Sequence, residues 1–102
     1  MIHVIATITV ADGKRDAFLA EFHRVVPPVL KEAGCIEYGP TVDVSSGLAL
    51  QGPLRDNVAV IVEKWASLEA LKAHLQAPHM LEYRERVKDL VVGVQLQVLQ
   101  PA

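Results

Sequence analysis

One stretch, EKWASLEALKAHLQAPH from Glu63 to His79, gathers most of the side chains able to do chemistry. An indole and two imidazoles are the groups that aromatic stacking and proton transfer require. Strand alternation puts Glu63 and Trp65 on one face, beside Ala59 and Ile61. Trp65 then reads as a core or interface aromatic, or as a flat wall for an aromatic ligand. Glu63 reads as the partner of a cation or the cap of a backbone donor. His74 lies about a third of a turn off the stripe Leu68–Leu71–Leu75, at the border between buried and wet. His79 falls near the start of the next helix, where the dipole opposes imidazolium and favours a neutral, proton-accepting ring. The plainer reading of either histidine is a hydrogen-bonded structural residue. Five residues apart across Pro78, the pair does not share a helical face, and no Cys or acidic cluster completes a metal site.

Tyr38 and Tyr83 read as core-edge aromatics with a polar tip, and are the further candidates for contact with a bound aromatic. Cys35, the single cysteine, reads as a small buried hydrophobe with no redox partner. His3 and His23 read as surface or packing residues. The glycines occur singly, without a phosphate loop, a dinucleotide fingerprint or a nucleophile elbow. Nothing here offers a site for flavin, nicotinamide or metal, so an enzyme built on this chain is expected to need no cofactor.

Those groups must be held by a small α+β framework. Ile2 to Val10 alternates as a strand. Asp12-Gly13 supplies a turn and an N-cap for a helix from Lys14 to Ala33, with apolar residues at three- and four-residue steps. Pro27-Pro28 should kink or restart that helix, and Gly34 should end it in the left-handed region. Ile36 to Val44 reads as a strand, with Ser45-Ser46-Gly47 turning into Leu48 to Gln51. Val58 to Trp65 is an apolar strand central in the sheet. A helix follows, capped by Ser67, then a second from Pro78 to about Asp89. Val91 to Leu99 is the last strand. This order gives one domain over residues 1–102, a ferredoxin-like sandwich with an antiparallel sheet and helices on one face. The bare sheet face argues for a homodimer with sheets face to face.

Composition sets the outer limits. Apolar residues make up 51% of 102 residues and the net charge is −2. No basic block suggests nucleic acid, and no apolar run is long enough to span a membrane. The opening residues lack the marks of a signal peptide, and one cysteine suits a reducing compartment, so a cytoplasmic location is expected.

Four segments together carry a family resemblance: HVIATITV, VPPVLKEAGCIEYGPTVD, IVEKWASLEALKAHLQAPHM and VLQPA. They resemble the antibiotic-biosynthesis monooxygenase family over essentially the whole chain, and within it the branch that acts on quinols. The resemblance implies a dimeric α+β barrel that oxygenates anthrones or hydroquinones with molecular oxygen, using neither metal nor flavin. It places Trp65, His74 and His79 around the pocket and gives Glu63 a structural role. Heme-degrading members carry an asparagine on the first strand, and the only asparagine here is Asn57. Another branch isomerises a phosphorylated sugar-like substrate, which would need a basic anion site drawn from Arg55, Arg84 or Arg86. A non-catalytic module that binds quinones is the remaining alternative.

Overall fold

A computed structural model describes all 102 residues. The elements are β1 (Ile2–Val10), α1 (Arg15–Leu30), β2 (Cys35–Thr41), β3 (Val58–Trp65), α2 (Leu68–Leu75), α3 (Pro78–Val87) and β4 (Val91–Leu99). The strands form one sheet in the order β2-β3-β1-β4, antiparallel at every step. The ferredoxin-like α+β sandwich expected from the element order is therefore present, with β3 and β1 central.

Period-two alternation decides what each strand buries. Val4, Ala6, Ile8 and Val10 of β1 lie on the same face as Ala59, Ile61, Glu63 and Trp65 of β3, all buried. Phe18, Phe22, Val25 and Val29 of α1 recur at helical spacing and cover that face, together with Leu71, Met80, Tyr83 and Val87. The other face stays open, with Ile5, Thr7, Val58, Val60 and Val62 half-buried in the single chain. β4 pairs only with β1 and is exposed from Val92 to Leu99.

Four local expectations need correction. α1 runs unbroken through Pro27-Pro28 and stops at Leu30, not Ala33. The carbonyls that lose partners belong to His23 and Arg24, both exposed, so water can serve them. Lys14, not Asp12, occupies the N-cap, without a side-chain hydrogen bond. Asp12 instead accepts Asn57 Nδ2–H at 2.9 Å, while Asn57 Oδ1 accepts the Gly13 N–H at 3.1 Å. The β2 strand ends at Thr41, and residues 42–57 form an arm with no strand. The turn in it lies at Ala49-Leu50, closed by Gln51 N–H to Leu48 O at 3.2 Å, and not at Ser45-Ser46-Gly47. Arg55 and Asp43 pair at 2.8 Å across the base of the arm. Finally, the buried stripe of α2 is Leu71 and His74, while Leu68 is exposed.

Candidate active site

Trp65 closes β3 and is fully buried. Its Nε1–H donates to Glu63 Oε1 at 2.9 Å, a contact that two same-face residues of one strand can make. Burial pushes the Glu63 carboxyl up to about 7, the indole bond opposes this, and the Glu32 charge adds to it. The indole is enclosed by His74, with ring centres 4.6 Å apart, and by Tyr38 at 6.4 Å. In the single chain it lines no cavity and walls the enclosure of His74 instead.

His74 is 2% exposed, not at a wet border. Ala70 of α2 packs closely against Gly34 in the turn that follows α1. A Cβ on Gly34 would come within 2.6 Å of the Ala70 Cβ, and Gly34 has φ of +83°. Only glycine meets both demands. Ala66 N–H donates to Gly34 O at 2.8 Å and fixes the approach.

That approach delivers Glu32, which the sequence reading did not single out. Its Oε2 lies 2.9 Å from His74 Nδ1 and 2.6 Å from His79 Nε2. The chain turns between α2 and α3, with Ala77 extended and Pro78 at the first helical position. Two histidines without a common helical face therefore meet on one carboxylate. The available signal was an acid stranded between an apolar helix end and a left-handed glycine.

Burial lowers the proton affinity of His74, while the Glu32 hydrogen bond and charge oppose it. A neutral ring facing a carboxylate carries its proton on Nδ1, which leaves Nε2 a bare acceptor. Every fully buried side-chain nitrogen and oxygen has a partner. Nε2 has none, so it keeps some access to open space.

Tyr38 stacks on Phe22 at 5.4 Å, and Tyr83 meets Phe22 and Phe18 edge-on at 5.6 and 6.4 Å. Burial raises both phenols well above their ordinary value and holds them protonated. Tyr83 lines an apolar cavity of about 320 Å³ between α3 and the sheet, with Ile8, Val87, Val91, Val94, Arg84 and Lys88. The structure thus joins Glu63, Trp65, Tyr38 and His74 in one buried cluster, with His79 at its edge and Tyr83 on the cavity. Arg84 Nη2 donates to Leu75 O at 2.6 Å, Arg86 pairs with Glu21 and Arg55 with Asp43, so the three are not gathered into an anion site. No three His, Cys, Asp or Glu residues are arranged to hold a metal ion. Cys35 is half-buried beside Glu32 and Glu63, and burial and those charges raise its thiol, so it is a poor nucleophile.

The model of the antibiotic biosynthesis monooxygenase family matches residues 1–86. The chain belongs to that family. It is 44% identical to the probable quinol monooxygenase YgiN of Escherichia coli K12, over 99% of this chain and 98% of that one. Among solved structures it resembles PA3566 of Pseudomonas aeruginosa, with a TM-score of 0.80 and 27% identity over 99% and 93% of the two chains. Rv0793 of Mycobacterium tuberculosis matches with the same score and identity, over 99% and 94%. Family membership makes this chain an oxidoreductase of the monooxygenase type.

Proposed function

We propose that the chain is a homodimeric, cofactor-independent monooxygenase that oxidises hydroquinone- or anthrone-like aromatics with molecular oxygen. The observation that carries the reading is the His74 imidazole, buried against Trp65, with Nδ1 held by Glu32 and no hydrogen-bond partner on Nε2. The substrate class is supported by the 44% identity to a relative named for quinols. The cavity beside Tyr83, of about 320 Å³, is large enough for a one- or two-ring aromatic, but Trp65, His74 and His79 do not line it, so contact between a substrate and the imidazole is part of the proposal. Pairing of two copies over the bare sheet face would shield the half-buried valines of β3.

In this mechanism an imidazole of the pair removes the phenolic proton as general base. The quinolate passes one electron to oxygen, and the radical pair recombines to form the C–O bond of a peroxide. The imidazolium returns its proton to the outer peroxide oxygen. The ring carbon bearing the peroxide loses its hydrogen as a proton, and the O–O bond breaks so that hydroxide and that proton leave as water. One oxygen atom stays on the ring as a hydroxyquinone and the other leaves in water. Burial of the base keeps water away from the peroxide.

The test is oxygen consumption by metal-stripped protein against a panel of quinols and anthrones. Uptake of one oxygen per quinol, with a hydroxylated quinone as product, is expected. Turnover that persists without oxygen, or none with any member of the panel, overturns the reading.

A further inference from the structure

His74 and His79 share one carboxylate oxygen, yet they live in unequal surroundings. The His74 side chain is 2% exposed and that of Glu32 13%, whereas His79 shows 27% to solvent. Glu32 therefore stands between an inner ring and an outer one. An oxygen that accepts from two N–H groups divides its charge between them. A hydrogen bond donated by His79 to that oxygen leaves less negative charge to stabilise imidazolium at His74.

We infer that Glu32 is the positioning residue of the buried base, and that His79, by competing for the same oxygen, sets how strongly His74 draws a proton from substrate. The assignment of His74 as the base rests on the oxygenase reading; the coupling of the two rings does not. His74 is faced by Glu32 from the turn after α1 and by Tyr38 from β2. Trp65, with Glu63 behind it, faces it from β3, and His79 and Arg84 from α3. Glu32 is the only anion bonded to the ring, while His79 and Arg84 both weaken its hold on a proton. Proton traffic balances in this scheme. Nε2 of His74 takes the substrate proton and later returns it, while Nδ1–H remains on Glu32 throughout.

Side-chain ¹⁵N spectra of the ligand-free, full-length protein test the coupling without any turnover. In the wild type, His74 should be protonated on Nδ1 and bare on Nε2. Glu32→Gln should lower the protonation midpoint of His74 by about one unit and mix the two tautomers. His79→Gln, which keeps a neutral donor, should raise that midpoint. The acid limb of kcat/KM against a quinol should move in the same directions, and Glu32→Gln should lower kcat on the order of 10²-fold with KM little changed. His79→Gln carries the comparison alone if Glu32→Gln does not fold. A His74 midpoint indifferent to both substitutions, or a kinetic limb that stays put while the midpoint moves, overturns the inference. A wild type inactive on every quinol defeats the oxygenase reading, while the spectra still decide the coupling.

Discussion

Replacing Glu63 by glutamine should make the protein more stable as pH rises above the ordinary carboxyl range, with the gain nearly complete at neutrality. The buried carboxyl is raised from 4.5 to about 7. At 1.36 kcal/mol per unit, ionising it in the folded state costs about 3 kcal/mol. A group whose folded value is raised contributes fully below its unfolded value and loses that contribution as pH rises through the folded one. Glutamine stays neutral and its Oε1 can still accept the Trp65 indole proton. The stability gap between Glu63→Gln and wild type should therefore be near zero at pH 4.5 and grow to about 3 kcal/mol at pH 8. His74 has the opposite sign. Its folded value is depressed, so it stabilises above 6.5 and the contribution fades as pH falls. That effect is common to both proteins and cancels in the difference. Urea unfolding at four pH values, followed by the fluorescence of the single tryptophan, measures the gap. A gap that does not change with pH, or a variant weaker than wild type at pH 8, would refute the reasoning.

Other substitutions probe the same framework. Gly34→Ala meets a left-handed backbone and a Cβ contact at 2.6 Å, and should cost roughly 2–4 kcal/mol in denaturant unfolding. Adding Ala70→Gly should return only the part due to the clash. Phe22→Ala empties a site that is 1% exposed among Phe18, Tyr38 and Tyr83, and should cost about 3–5 kcal/mol by thermal or urea unfolding. Trp65→Phe leaves Glu63 without its donor and should cost roughly 1–3 kcal/mol at pH 8, and less at pH 5 where the carboxyl is protonated. Val94→Trp, on a residue 60% exposed at the cavity, should raise KM for two-ring quinols several-fold while leaving the thermal midpoint in place.

The sequence exposed what depends on periodicity. Alternation in β1 and β3 placed Glu63 and Trp65 on one face, and the three- and four-residue steps in α1 marked an apolar stripe, which buries Phe18 and Phe22. What it hid depends on how elements approach one another. Nothing local says that Ala70 fits against Gly34, so neither the burial of His74 nor the arrival of Glu32 beside it could be read. The histidines looked separate because helical geometry was applied across Pro78, where the chain changes direction. Pro27-Pro28 misled for the converse reason. A helix two residues from its end gives up two carbonyl partners on its wet side at little cost. The strand expected to reach Val44 stops pairing at Thr41, opposite Val60, two residues short of the end of β3.

β4 carries neither charge nor proline over nine residues, and its outward amides and carbonyls have no strand beside them. Such a margin accepts any extended segment that drifts against it. The chain is thus adhesive along one border, with the composition of a fibril-forming segment. Prolonged storage should therefore lose material to insoluble strand-on-strand growth sooner than to loss of the core.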